Sequence, residues 1–317
     1  MPPQPEGRQR FAAPCGVGPS PRWGTSRSPA RLAWHHNSLA RDPRDFCHGL
    51  LARRGSLGDG SAAVTGLILG LTLPPSFPLW MAFLGGFVAI ALGKLAWGGL
   101  GDNLFNPALV GRAFLQAAFP IAITTWVPPG GPLALYRGNL ALPFLQAPPD
   151  ALTAATPLNL MKFQGALAPV DTLFLGGVAG SAGETSALAV LVGGAYLLLR
   201  RAFDWRIPAA IFVAVAAMSG VLHLVAPDRY PGPLFMLLSG GLLFGAVFMA
   251  TDPVTSPLAP RATWIFGLGI GLLVVLIRLW GGLPEGVMYA ILLMNAAAPL
   301  LERANQPRAF GHGRVAT

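Results

Sequence analysis

Apolar residues in this chain are gathered into long blocks separated by short polar breaks. From Ser61 onward the blocks are 62–73, 79–97, 105–127, 187–199, 207–225, 234–250, 264–279 and 287–301. They are rich in glycine and carry few charges, and several are shorter than the ~20 apolar residues a helix needs to span a bilayer. The pattern predicts an all-α polytopic membrane protein with about eight transmembrane helices. A further stretch, 173–183, is apolar and Gly-rich but too short to span. It reads as a re-entrant or broken segment beside Glu184-Thr185-Ser186.

Three segments lie outside this pattern. The connection 128–171 is long, polar and Pro-rich. The tail 303–317 is basic. Residues 1–58 hold nine arginines, no lysine and three of the five histidines, His35, His36 and His48. This segment contains no apolar run of spanning length and no secretory h-region. It reads as a disordered basic tail, or as the product of a shifted frame or start. The two cysteines, Cys15 and Cys47, both fall here and make neither a metal spacing nor a disulfide framework.

Composition agrees with the block pattern. Of the 317 residues 53% are hydrophobic and 11% charged, against roughly a quarter charged in soluble domains. The formal charge of +9 resides mostly at the two ends and in short loops. That distribution fits the positive-inside rule and argues against a nucleic-acid partner.

The chain contains an internal repeat. Trp97-Gly98-Gly99-Leu100 recurs 183 residues on as Trp280-Gly281-Gly282-Leu283, and at the same offset Thr72-x-Pro74 meets Thr255-x-Pro257 and Gly86 meets Gly269. Lys94 and Arg278 precede the two turns. The second copy has two spans, 187–199 and 207–225, ahead of the matched region, which gives it five. An odd number makes the repeats inverted in the membrane. The first copy has only three spans, so by symmetry two more N-terminal helices are expected, and residues 1–58 are expected to be a frame or start error.

Candidate chemistry centres on Asp150-Ala151-Leu152-Thr153-Ala154-Ala155-Thr156-Pro157, in the long connection. On its own it is a small hydroxyl on a loop, with Pro157 pushing Thr156 towards an extended conformation. Most such threonines cap or solvate a turn.

Several separate stretches carry a family likeness. They are Phe105-Asn106-Pro107-Ala108-Leu109-Val110-Gly111, Gly183-Glu184-Thr185-Ser186 and Ala250-Thr251-Asp252-Pro253-Val254-Thr255, with Leu293-Met294-Asn295 and Arg308-Ala309-Phe310-Gly311-His312 at the end. Over roughly residues 59–314 the chain resembles the D subunits of the Rnf complex, the ion-translocating ferredoxin:NAD oxidoreductase. It is less closely similar to the B subunits of the sodium-pumping NADH:quinone reductase. The resemblance implies a threonine that carries FMN through a phosphoester in an Asp-x-x-Ser/Thr-Gly-Ala-Thr type motif. Asp150, Thr153, Ala155 and Thr156 match it, Thr156 takes the acceptor position, and Ala154 departs where Gly is frequent. Attachment requires a separate flavin transferase, and a second, non-covalent flavin stays open.

The resemblance further implies a membrane subunit of a redox-driven Na⁺ or H⁺ pump in a bacterial inner membrane. It would be an electron carrier without a complete active site of its own, working among other subunits and in contact with lipid. The chain has no iron–sulfur or zinc spacing, and no Gly-rich nucleotide fingerprint follows a strand. Ferredoxin and NAD are therefore left to partner subunits. The rival readings are a quinone-reductase B subunit, a flavin-free secondary transporter, and a truncated product without activity.

Other residues keep two readings. Asp102 and Asp252, at span termini, either line a cavity or N-cap the next segment. Glu184 either approaches the flavin or caps the helix from Ala187. His223 reads as a packing feature. The segments are thus 1–58, a first partial repeat 59–127, the connection 128–171, a second repeat 172–302 and the tail 303–317. The arginines Arg200, Arg201, Arg206, Arg261, Arg303, Arg308 and Arg314 place 128–171 outside and the C-terminus inside. Reporter fusions at Gly138 and Thr317 are expected to lie on opposite sides of the membrane, and the same side for both would remove the inverted-repeat argument.

Overall fold

The computed structural model describes residues 60–99, 101–127, 139, 154–181 and 183–305. The expectations on 1–58, on Asp150 and Thr153, and on the last residues of the tail lie outside these. All secondary structure among the described residues is helical.

Prolines and small polar caps set the helix ends. Helix α1, Ser61–Leu71, stops at Thr72, whose hydroxyl donates to the Leu69 carbonyl at 2.7 Å just before Pro74-Pro75. Helix α2, Leu79–Ile90, starts after Pro78 and widens into a π-helical turn, Ala91–Leu95. Helix α3, Pro107–Ala118, opens on Asn106, whose side chain accepts from the Ala108 and Leu109 amides at 3.0 and 3.4 Å. Pro107 takes the first position, where its missing N–H costs nothing.

The block expected as one span over 105–127 is broken at Phe119, and a short helix α4, Pro120–Thr124, follows. Pro120 has no N–H to continue the ladder. After the connection come α5, Pro157–Asn159, prolonged by a π-helical turn Leu160–Gln164, and α6, Val170–Leu175, closed by Gly176 at φ 102°. The short apolar segment expected over 173–183 is helical only up to Leu175 and continues as turns and bends.

The second half begins with α7, Ala187–Leu199, and α8, Arg206–Val225. The block at 234–250, expected to be continuous, is two pieces. These are α9, Pro233–Leu238, and α10, Leu242–Phe244, which runs on as a π-helical turn Gly245–Met249. The break is Ser239-Gly240-Gly241, with Gly240 in the left-handed region at φ 65°, a conformation open to glycine at little cost. Helix α11, Pro260–Trp280, and helix α12, Val287–Ala304, complete the set.

Helices α8, α11 and α12 are long and apolar enough to cross a membrane, and Ser61–Leu71, Leu79–Leu95 and Ala187–Leu199 are shorter apolar helices. Outward side chains are apolar as well: Phe83 is 77% and Leu224 83% exposed. Such faces are at rest only against lipid or another protein.

Packing between helices runs through small residues. A Cβ on Gly111 of α3 would lie 2.7 Å from the Gly85 carbonyl oxygen and 2.8 Å from the Ala89 Cβ of α2. On α11, a Cβ on Gly267 would lie 2.6 Å from the Ala210 Cβ, and one on Gly271 2.7 Å from the Ile211 carbonyl oxygen of α8. Backbones at this range gain dispersion contacts that larger side chains would block. Around the α8–α11 seam lie Ile211, Val215, Met236, Phe266, Ile270, Val274 and Ile291, all buried in one cluster.

Gly271→Val is expected to wedge α8 from α11 and to cost about 1–3 kcal/mol, the usual penalty of overpacking. Gly220→Ala, on the same α8 with nothing within 4 Å of the added methyl, should be neutral or stabilising by about 0.5–1 kcal/mol. Thermal unfolding in detergent measures both.

Candidate functional site

Thr156 has the extended backbone that Pro157 demands, φ −68° and ψ 155°. Its Oγ1 accepts from the Asn159 amide at 3.3 Å and so caps α5, which leaves the hydroxyl proton uncommitted by that contact. The preceding Ala154 amide donates to the Trp126 carbonyl at 2.8 Å, pinning the segment to the end of the first repeat. Ala155 is exposed and Thr156 half-buried. Thr156 opens onto a cavity of about 250 Å³ that is also lined by Arg112, Trp126, Asn159, Phe163, Glu184 and Glu285.

The floor of this cavity is ionic. Arg112, on α3, donates from Nη1 to Glu184 Oε1 and from Nη2 to Glu285 Oε2, each at 3.0 Å. Glu184 lies in the connection before α7, and Glu285 in the turn before α12. Glu285 also accepts from the Gly241 amide at 2.7 Å, which holds the first N–H beyond the break in the α9–α10 helix. Arg278 of α11 is fully buried and donates to the Met236 and Ser239 carbonyls at 2.6 and 2.9 Å. It satisfies the α9 C-terminus on the other side of the same break. Burial, reinforced by the facing Glu285 carboxylate, pushes the Glu184 carboxyl up against the pull of Arg112.

A second cavity, about 390 Å³, is lined by Ser61, Lys94, Asn103, Asn106, Thr251 and Asp252. Lys94 donates to the Ser61 hydroxyl. Asp252 accepts from the Val254 amide at 3.2 Å and the Thr255 hydroxyl at 3.3 Å.

Several open readings close on this geometry. Glu184 is not the cap of α7: Ser186 takes that role, accepting from the Ala189 amide at 3.3 Å, and Glu184 faces the Thr156 cavity. Asp102 is exposed, and Asn106 caps α3 instead. Asp252 lines a cavity, and the residue before α11 is Ala259. His223 meets the Tyr230 carbonyl through Nδ1 at 2.7 Å.

Sequence reasoning passed over Glu285 and Lys162. A signal existed for the first, since Glu285 comes just after the repeated Trp-Gly-Gly-Leu turn and falls at the register of Asp102. Nothing in the sequence marked Lys162.

Arg112→Met leaves Glu184 and Glu285 buried without a counter-ion. It is expected to cost about 3–5 kcal/mol, whereas the triple variant Arg112→Met, Glu184→Gln, Glu285→Gln should recover most of that loss. Thermal unfolding of the detergent-solubilised proteins makes the comparison, and a triple variant no more stable than the single one would contradict it.

The model of the NQR2, RnfD, RnfE family matches residues 46–311, beginning ahead of the boundary drawn at residue 58. The chain is 40% identical over 278 residues to the D subunit of an ion-translocating oxidoreductase complex from Yersinia enterocolitica, covering 81% of this chain and 79% of the relative. It is 42% identical over 273 residues to the D subunit of a proton-translocating ferredoxin:NAD(+) oxidoreductase complex from Clostridium ljungdahlii, covering 82% and 77%. Against the D subunit of an ion-translocating oxidoreductase complex from Stutzerimonas stutzeri the identity is 43% over 274 residues, covering 80% and 76%. The family match spans both halves of the helical set and every residue of the Thr156 cavity, and the chain belongs to the NQR2, RnfD, RnfE family.

Proposed function

We propose that this chain is the D-type membrane subunit of an ion-translocating oxidoreductase that couples electron transfer between ferredoxin and NAD to Na⁺ or H⁺ movement. In this reading it resides in a bacterial inner membrane, with the 128–171 connection outside. Thr156 holds FMN covalently, and the other subunits of the complex handle ferredoxin and NAD. The relatives, D subunits by name, favour this over a quinone-reductase B subunit.

The observation that carries the flavin reading is the placement of the Thr156 hydroxyl. It sits on an extended segment, itself half-buried, and lines a mostly apolar cavity that also holds Trp126, Phe163 and the Arg112–Glu184–Glu285 cluster. An acceptor hydroxyl has to be reachable by a flavin transferase yet lie beside a space that receives the ring, and this placement meets both conditions. Attachment joins Thr156 Oγ1 to the FMN phosphorus of FAD, with AMP leaving and the hydroxyl proton passing to solvent. Small neighbours, Ala154 and Ala155, leave the transferase room to approach.

When bound, FMN supplies one- and two-electron redox chemistry, and the protein supplies orientation and electrostatics. Trp126 and Phe163 offer apolar walls to a planar ring. Arg112 places a guanidinium beside the cavity, where Glu184 and Glu285 pair with it and fix its position. The Asp252 cavity, lined by Lys94, Asn103 and Asn106, is the larger of the two, and a second, non-covalent flavin would have its room there.

Co-expressed with its flavin transferase, the denatured polypeptide is expected to give a band fluorescent under ultraviolet light that Thr156→Ala abolishes. A fluorescent Thr156→Ala band, with loss in Thr153→Ala instead, would move the site. A wild-type band without fluorescence would favour the flavin-free transporter.

A further inference from the structure

Lys162 stands six residues beyond Thr156, in the π-helical turn that prolongs α5. Its ammonium is surrounded by main-chain oxygens from a single place, the C-terminus of α11 and the turn after it. Nζ donates to the Arg278 carbonyl at 3.1 Å, the Leu283 carbonyl at 2.9 Å and the Gly281 carbonyl, with the Ile277 carbonyl at 3.5 Å. The last carbonyls of a helix have no partner within it, and a cation there also meets the negative end of the helix dipole. An ammonium has three protons to give and no acceptor capacity, so a cluster of carbonyls is its natural complement.

Both segments joined by this contact also contribute residues to the Thr156 cavity, although Lys162 itself does not line it. From the Lys162 side these are Thr156, Pro157, Asn159 and Phe163, and from the chain after α11 they are Leu283, Glu285 and Met288. Between them Leu158 is buried against Gly240, whose added Cβ would lie 2.5 Å from the Leu158 Cδ1. Leu158 therefore seats the segment on the helix break, while Lys162 ties it across to α11.

We infer that Lys162 is a positioning residue: its ammonium caps α11 from the segment that bears Thr156, and so fixes whatever Thr156 carries against the Arg112–Glu285 floor. The flavin readout of this inference rests on the proposed attachment at Thr156, whereas the clamp itself does not. Removing the side chain leaves a cage of carbonyls shaped for a monovalent nitrogen cation, and a small alkylammonium ion should enter it.

The test uses the full chain, co-expressed with the flavin transferase and purified in detergent, as wild type and Lys162→Ala. Hydrogen–deuterium exchange is followed in peptides covering 157–166 and 277–284. Fluorescence anisotropy and the midpoint potential of the covalent flavin are measured beside it. In Lys162→Ala both peptides are expected to exchange faster by about tenfold or more, the scale of one charge-assisted hydrogen bond. The anisotropy should fall and the midpoint potential shift.

Ethylammonium chloride should restore all of these, and sodium chloride at equal ionic strength should not. Unchanged exchange, faster exchange in one peptide alone, or failure of ethylammonium to rescue overturns the clamp. A chain without covalent flavin whose two peptides still loosen together keeps the clamp and removes the flavin reading. Should Lys162→Ala not accumulate, Lys162→Gln, which removes the charge but still occupies the cage, takes its place with exchange of the two peptides as the criterion: joint loosening keeps the clamp, and no change or loosening of one peptide alone overturns it.

Discussion

Arg112 is the fixed point of this molecule. A guanidinium on a helix of apolar neighbours has few places to discharge its cost, because a lone buried ion is expensive and the group has no readily reached neutral form. It meets that cost by drawing in two carboxylates from connections far along the chain, Glu184 before α7 and Glu285 before α12. One side chain of the first repeat thereby holds two loops of the second. The cavity beside Thr156 exists because those loops are held there. Such a cluster adds little stability against an apolar replacement of the same shape. Its value is in specifying one arrangement of loops around one cavity.

The same ions explain how a broken helix survives in an apolar setting. Between Leu238 and Leu242 the ladder stops, and each side of the gap would expose main-chain groups that lipid cannot satisfy. Arg278 takes the carbonyls of the α9 end, and Glu285 takes the amide of Gly241. Lys162 does for the end of α11 what Arg278 does for α9. Three charged side chains therefore close helix ends that surround a single cavity. A break that is closed by charges near a cavity is a device for placing polar chemistry at depth, and it needs glycine at the turn, which Gly240 supplies.

Much of the helical layout was legible because glycine, proline and apolar runs act locally. The extended Thr156 is set by Pro157 next to it, whereas the caps fall on Asn106 and Ser186, a few residues beyond Asp102 and Glu184 where the sequence reading sought them. The two interruptions were less legible. Pro120 lies inside an apolar run, where proline in membrane helices is often absorbed, and Ser239-Gly240-Gly241 reads as ordinary small-residue packing. Their outcome depends on partners far along the chain. Glu285 was overlooked for the same reason: its meaning comes from Arg112, 173 residues earlier and in contact only through the fold. The motif drew attention to the loop carrying Thr156, but the relation of that loop to Lys162 and α11 belongs to tertiary structure alone.

The repeat shows how one frame came to hold unequal sites. Its offset of 183 carries Arg112 onto Asn295 and Asp102 onto Glu285. Yet the copies are not chemically alike. Arg112 is paired twice, while Asn295 is fully buried and neither of its amide atoms meets a hydrogen-bond partner among the described residues. Asp102 is exposed, whereas Glu285 is drawn onto Arg112. The offset thus preserved the Trp-Gly-Gly-Leu sequence and the buried polar positions Thr72 and Thr255, Arg112 and Asn295. It did not preserve the charges. The ionic floor arises where Arg112, ahead of the long connection, reaches Glu184 and Glu285 beyond it, so this site needs both halves of the helical set.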